Sequence, residues 1–319
     1  MDKIKIFSSH RIDKNSINIK NNLIIPVKCG AVFDNKKSSI IGDNTGNNIS
    51  KKRNAYCEFT VQYWAWKNQL AEYYGLCHYR RFLVFNDGLF KKNRLGMIEC
   101  DFLDDKNIKH YNLDNEKIMC DNITKYDIIV NEAVCVEQIP TPNGRVYSVY
   151  EHWKAFHRIF FDKDILEILL DIIKNNFHNY YSSAMEYLNG KLHRGYNCYI
   201  MKKELFNKMC IFQFGVMQNI ENIIKYNKKY EGYPRAIAYM GEILYGIYVY
   251  HISKCKKYKI CEKPLVFFNY TEPILNKREY YIKKIMFKLK NMERLQYMLL
   301  PKGGCTRNIV KKIYYYIIK

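Results

Sequence analysis

Apolar and polar positions follow two periods along this chain. Alternation over Ile4-Lys5-Ile6-Phe7-Ser8-Ser9-His10-Arg11 predicts a first strand that runs out into a polar turn. Leu23 to Gly30 reads as a second short strand, and Pro26, lacking an amide hydrogen, makes it an edge or irregular one. Tyr74 to Phe85 reads as a single strand, apolar and aromatic throughout. Further strands are predicted at Tyr126 to Val130, Gly195 to Met201 and Pro264 to Phe268. Between them lies helical periodicity. Asn54 to Tyr73 predicts an aromatic helix of about five turns. Asp162-Lys163-Asp164 precedes the amphipathic Ile165 to Leu170, a position that suits helix capping better than metal binding. Another helix starts near Lys203, and a late one, Arg235 to Gly246, places Arg235, Ala238 and Glu242 on one face. Ile41 to Ser50 is a turn-rich loop, Pro140 to Gly144 a turn, and residues 86–124 a charged, irregular insertion.

Strands separated by helices predict an α/β domain, and in open α/β sheets ligands gather beyond the carboxyl ends of strands. The stretch His78-Tyr79-Arg80-Arg81 is therefore notable, because it puts an imidazole and two guanidiniums into an apolar strand. The planar donor fork of Arg matches phosphate or carboxylate oxygens. The ordinary alternative is that one Arg faces solvent and the other pairs with a scaffold carboxylate. Trp64 and Trp66, two apart, cannot share a helix face, so one of them is free to leave the core for a pocket.

At 319 residues and 48% hydrophobic content, the chain can bury the core of one large α/β domain, alone or with an extension. No window approaches the roughly 20 apolar residues of a membrane span, and the N-terminus lacks a signal-peptide core, so a cytosolic protein is expected. Eleven cysteines without any Cys-x-x-Cys pair read as reduced core thiols, not a zinc site. Net charge is +21, and residues 276–319 hold 12 Lys/Arg against 2 Glu, or +10 of that excess. Basic residues there mix with Tyr281, Ile282, Ile285, Met286, Phe287, Leu289, Leu295, Tyr297, Met298, Leu299 and Leu300. That is the composition of a basic amphipathic helix for an anionic membrane surface or a membrane-bound acidic partner; the alternative is a solvated helix covering the domain. Nucleic acid is not expected as a partner, for no helix-turn-helix, RNA-recognition or zinc-finger pattern is present.

Taken together, several motifs resemble one family. Gly42-Asp43-Asn44-Thr45-Gly46-Asn47-Asn48-Ile49-Ser50, Tyr56-Cys57-Glu58-Phe59-Thr60 and Tyr63-Trp64-Ala65-Trp66-Lys67-Asn68 are followed in order by Gly75-Leu76-Cys77-His78-Tyr79-Arg80-Arg81-Phe82, Tyr150-Glu151-His152 and Asn197-Cys198-Tyr199-Ile200-Met201-Lys202-Lys203-Glu204. Their order, from about Ile4 to Phe268, resembles the domain of unknown function 4422 family. Two departures stand out: Asn197-Cys198-Tyr199 where the family usually has Asn-Met-Phe, and Glu242-Ile243-Leu244 where it usually has Glu-Arg-Leu. The resemblance implies a bacterial glycosyltransferase using a sugar nucleotide, a UDP-sugar above all, with a glycan or lipid-linked acceptor. Its setting would be capsule, exopolysaccharide or lipopolysaccharide synthesis on the inner face of the cytoplasmic membrane. The expected fold is an α/β, GT-A-like (Rossmann-like) mixed sheet flanked by helices over residues 1–270, with a basic helical C-terminal extension over 271–319.

Such a transfer needs stabilisation of the departing diphosphate, a base and an acceptor groove. Where most GT-A enzymes use a divalent metal on Asp-x-Asp, this central strand ends in His78-Tyr79-Arg80-Arg81. Arg80 or Arg81, with His78, is expected to neutralise the diphosphate without a metal, Asp43 being the ligand candidate should one be required. The resemblance places His10, Asn48, Trp66, Lys67, Asn68, His78, Tyr79, Arg80, Arg81 and Asn197 at the donor, with Trp66 and Tyr79 stacking on the uracil or sugar. Glu242 is the first choice of base and Asp43 the second; His152 and Arg235 are assigned to the acceptor. The rival classes are a non-catalytic basic module on membrane or nucleic acid, and phosphoryl transfer, which lacks its Gly-rich loop here.

Overall fold

The structure is a computed structural model describing residues 3–35, 39–291, 308–310 and 312–313. Its strands are β1 (Ile4–Arg11), β2 (Ile24–Cys29), β3 (Ile41–Gly42), β4 (Tyr73–His78), β5 (Arg81–Leu83), β6 (Met97–Phe102), β7 (Ile128–Asn131), β8 (Val134–Cys135), β9 (Leu192–His193), β10 (Tyr199–Lys202), β11 (Ile260–Lys263) and β12 (Leu265–Tyr270). The helices are α1 (Arg53–Tyr56), α2 (Phe59–Asn68), α3 (Asp105–His110), α4 (Glu116–Ile123), α5 (Val149–Lys154), α6 (Asp164–Asn176), α7 (Tyr181–Asn189), α8 (Lys203–Ile224), α9 (Ala236–Lys254) and α10 (Lys277–Asn291).

The main sheet runs β11-β7-β10-β4-β1-β2-β3, with β5, β6 and β12 forming a wing off β4. Along that path every pairing is parallel except those of β10, which is antiparallel to both β4 and β7. The carboxyl ends of β1, β2, β4 and β7 therefore share one edge with the amino end of β10. This is the mixed sheet flanked by helices that the sequence led us to expect. Its central strands are buried on both faces, so their apolar runs are nearly continuous. Tyr74, Leu76, Ile128, Val130, Tyr199 and Met201 pack against α2, α6, α7, α8 and α9. Their neighbours Tyr73, Cys77, Ile129, Cys198 and Ile200 pack against the wing and the segment around α3 and α4.

Helix α9 is buried almost all round, as expected of a helix without a polar face. Gly241 lets it approach closely: a Cβ there would fall 2.4 Å from Cζ of Phe59. Because Glu242 follows Gly241 and Glu58 precedes Phe59, that contact also sets two carboxylates side by side.

Three sequence expectations change. The predicted strand Tyr74 to Phe85 is a hairpin, turning at Tyr79-Arg80 so that His78 pairs with Arg81 across β4 and β5. The predicted helix Asn54 to Tyr73 breaks at Cys57, whose φ of 48° is left-handed, and ends at Asn68. The insertion over 86–124 is ordered: β6 joins the wing beside β12. Asp104 caps α3 by accepting from the Asn107 amide at 2.9 Å, and Asn115 caps α4 by accepting from Ile118 at 3.0 Å. Before α6, Asp162 accepts from the Asp164 amide at 3.2 Å, and Lys229 pairs with both aspartates.

Helix α10 rests on the wing, Tyr280 stacking on Phe102 at 5.0 Å. Leu295, Tyr297, Met298, Leu299 and Leu300 lie outside the described residues. Among the described residues no helix is long and apolar enough to cross a membrane, and the described cysteines are unpaired thiols.

Candidate active site

At the shared edge of β1, β2 and β4 opens a cleft of about 450 Å³, within the size range of small-molecule sites. Four guanidiniums line it: Arg11 at the end of β1, Arg53 opening α1, Arg80 in the hairpin turn and Arg235 before α9. Asp13 holds the first two in place, hydrogen-bonded to Arg11 and 3.7 Å from Arg53. The Arg11 hydrogen bond lowers the Asp13 carboxyl to about 2, so it stays ionised. Arg80 and Arg235 are different: neither has a carboxylate partner among the described residues. Arg80 lies over the rings of Phe267 and Tyr79, at 4.9 and 5.6 Å, with its buried Nε unpartnered. Arg235 donates from Nε to Sγ of Cys57 at 3.2 Å. Cations gathered around open space repel one another, and an anion in the cleft would relieve that.

Arg81 lies over Phe267 as well, at 5.5 Å, and over Tyr196 at 5.1 Å, and favours the ionised form of Glu242. Arg80 lies in the turn and Arg81 in the strand, and neither forms an ion pair with a carboxylate among the described residues. His78 ends β4 with its buried Nδ1 unpartnered. Burial, then Arg81 and Arg80, push its pKa well below the usual histidine range. It is neutral, so the expected charge neutralisation by His78 is replaced by a hydrogen-bonding role at most. Tyr79 lines the cleft wedged between His78 and His10, with ring centroids 4.3 and 6.1 Å away. His10 is 3% exposed, bonds through Nε2 to Ser8 Oγ at 3.1 Å, and is lowered to about 4 by burial and by Lys28.

Glu58 stands in the cleft wall near Arg235, with Glu242 beside it. Burial and the negative charge of Glu58 raise the Glu242 carboxyl to about 7, with Arg81 and Arg235 opposing. Asn197 is 1% exposed and donates from Nδ2 to Glu58 Oε1 at 3.1 Å, while its Oδ1 is unpartnered. Of the nine buried side-chain polar atoms without a hydrogen-bond partner among the described residues, four belong to His78, Arg80, Arg81 and Asn197. Such orphans are rare in folded proteins, and two of the four belong to His78 and Arg80, which line the cleft.

Other expected site residues are not brought to the cleft. Asp43 is fully buried and accepts from the amides of Gly30 and Ala31 at 2.8 and 2.9 Å and from Ser50 Oγ and Thr60 Oγ1 at 2.5 Å. Its lone pairs are committed to pinning loop to sheet, which removes it as a base or metal ligand. Trp66, Lys67 and Asn68 lie at the far end of α2, roughly 12–15 Å along the helix from Glu58 at about 1.5 Å per residue. There Trp66 stacks on Phe214 at 5.8 Å, Lys67 sits 3.3 Å over the Trp66 ring, and Asn68 ties down Asn47. Trp64 stays in the core. Asn48 caps its own loop through the Ser50 amide. His152, 6% exposed among Trp153, Phe156 and His193, does not reach the cleft, and burial lowers it to about 4. Arg11, Arg53 and Glu58 were given no role from the sequence. Arg11 ends the first strand, a legible signal, but Glu58 faces the cleft only because the helix breaks at Cys57, which no residue pattern announced.

The fold is a mixed α/β sheet with helices on both faces and an arginine-lined cleft at its carboxyl edge. The apo structure of the WbbM bifunctional glycosyltransferase is similar, with a TM-score of 0.75 and 24% identity. The similarity covers 86% of this chain and 48% of that one, so the chain spans about half the length of that protein. The chain belongs to the family described as Domain of unknown function (DUF4422), whose profile matches residues 5–254. No curated protein matches the chain significantly.

Proposed function

We propose that the protein transfers a sugar from a nucleoside diphosphate, a UDP-sugar above all, to a glycan or lipid-linked acceptor in the building of a bacterial capsule, exopolysaccharide or lipopolysaccharide. The observation that carries this is the pair of guanidiniums, Arg80 and Arg235, that line the cleft without a carboxylate in ion-pair contact among the described residues. Donor forks of this kind fit the oxygens of a diphosphate.

In the reaction the acceptor oxygen bonds to the anomeric carbon as the bond from that carbon to the β-phosphate oxygen breaks. The electron pair leaves with the diphosphate, where Arg80 and Arg235, backed by Arg11 and Arg53, stabilise the growing charge in place of a metal. The acceptor proton passes to the Glu58/Glu242 pair, and a carboxylate whose proton affinity lies near neutral is suited to that. Tyr79 is placed to pack against the nucleotide. The lysines of α10, with Tyr281 and Ile285 exposed on that helix, support peripheral contact with an anionic cytoplasmic membrane surface.

The test is thermal unfolding with UDP and with a panel of UDP-sugars in EDTA, alongside release of UDP from each donor. Donor-dependent stabilisation and turnover in the chelator are expected. Turnover that vanishes in EDTA and returns with manganese overturns the arginine clamp. Absence of any UDP response, with salt-sensitive binding to anionic vesicles or nucleic acid alone, favours the non-catalytic module.

A further inference from the structure

The segment between β9 and β10 has backbone and side-chain features that donor binding does not explain. Tyr196 and Asn197 both have left-handed backbones, with φ of 73° and 45°. Two consecutive non-glycine residues in that region store strain that the surroundings must hold in place. Each makes one contact with a carboxylate. The Tyr196 amide donates to Glu242 Oε2 at 3.4 Å, and Asn197 Nδ2 donates to Glu58 Oε1 at 3.1 Å. Gly195 completes the arrangement, since a Cβ on it would fall 2.9 Å from His193 Nε2 and 3.3 Å from Glu242 Oε2. A Cβ there would press first on His193 and then on Glu242.

From this geometry we infer that Gly195-Tyr196-Asn197 is a positioning device which holds Glu58 and Glu242 together as one acid–base unit. Asn197 acts through Glu58 and not on the donor directly. The proposal rests on the glycosyltransferase reading for its purpose, but the geometry stands without it. Two like charges brought together on folding repel, and each needs a donor to fix it. The strained turn supplies one to each: a side-chain amide to Glu58 and a main-chain amide to Glu242. Other groups facing Glu242 are Cys57 before α2, Arg81 on β5, Tyr187 on α7, His193 on β9, and Arg235 and Tyr239 at the start of α9. Of these, Arg81 and Arg235 are cations, and His193 is held neutral, lowered to about 3 by burial.

The experiment is a carbon-13 NMR titration of protein labelled at the glutamate side-chain carboxyls, with Glu58→Gln and Glu242→Gln assigning the two resonances. In the wild type a glutamate should titrate near neutral pH. In Asn197→Gly, which keeps the left-handed backbone and so the fold, removal of the Glu58 donor should move the titration of the Glu58 resonance upward by about one pH unit. That is the tenfold change expected for one charge-assisted hydrogen bond. Asn197→Ser serves as a second, smaller truncation. Turnover should fall while UDP affinity stays within twofold. An unchanged titration in both variants overturns the proposal, as does a loss of UDP affinity equal to the loss of turnover, which would make Asn197 a donor ligand. Failure of the wild type to bind UDP would remove the glycosyltransferase reading and leave the titration result intact.

Discussion

Replacing Arg80 by alanine separates a ligand-binding guanidinium from a structural one. Without ligand, the described contacts of Arg80 are the faces of Phe267 and Tyr79, each worth about 0.5–1 kcal/mol where partly exposed. Against them stand desolvation and the like charges of Arg81 and Arg11. The two sides nearly cancel, so Arg80→Ala should change unfolding free energy by no more than about 1 kcal/mol in either direction. With a diphosphate in the cleft the balance is different. One charge-assisted hydrogen bond is worth about 1.5–3 kcal/mol, so losing one should weaken UDP binding about 10- to 150-fold. Arg80→Lys keeps the charge and loses the fork, and should fall between. Calorimetric titration with UDP, paired with urea denaturation of the ligand-free protein, reads both quantities. UDP affinity within twofold of wild type, together with a clear loss of ligand-free stability, would refute the clamp and make Arg80 part of the scaffold.

Glu242 should leave a signature in stability against pH. Its folded value, about 7, lies above the ordinary 4.5, so its contribution to stability is present below about pH 4.5 and is lost as pH rises through 7. Glu242→Gln should flatten the fall in melting temperature over that window and abolish turnover, and an unchanged melting profile would contradict the raised value. Asp43→Ala leaves four donors without their acceptor and should destabilise the fold by about 3 kcal/mol or more in urea denaturation. A stable but inactive Asp43→Ala protein would instead return that residue to the chemistry. Gly241→Ala drives a methyl into the Phe59 ring and should cost about 1–3 kcal/mol. It should also lower the pH midpoint of the Glu242 titration as the two carboxylates are pushed apart, which the NMR titration above would show.

Much of this protein is determined by local sequence. Apolar runs located β1, β2, β7 and β12 close to their observed bounds, because strands buried on both faces tolerate little else, whereas the strand expected over Gly195 to Met201 begins only at Tyr199, after the left-handed Tyr196-Asn197. Helical periodicity likewise located α6, α8 and α9, and it set Arg235 and Glu242 on one face of the last. The arginine pair after His78 was legible as a site because charge in an apolar strand demands a partner. Other features depend on contacts far apart in the chain. A continuous aromatic run cannot show that it turns back at Tyr79-Arg80, and nothing local to Cys57 marks the left-handed residue that swings Glu58 into the cleft. Asp43 looked like a reactive carboxylate in a polar loop, and only folding surrounded it with four donors. The proximity of Glu58 to Glu242 rests on one helix crossing at Gly241 between residues some 180 positions apart. Periodicity is a property of neighbours along the chain, whereas a proton affinity is set by neighbours in space, and those were decided by packing.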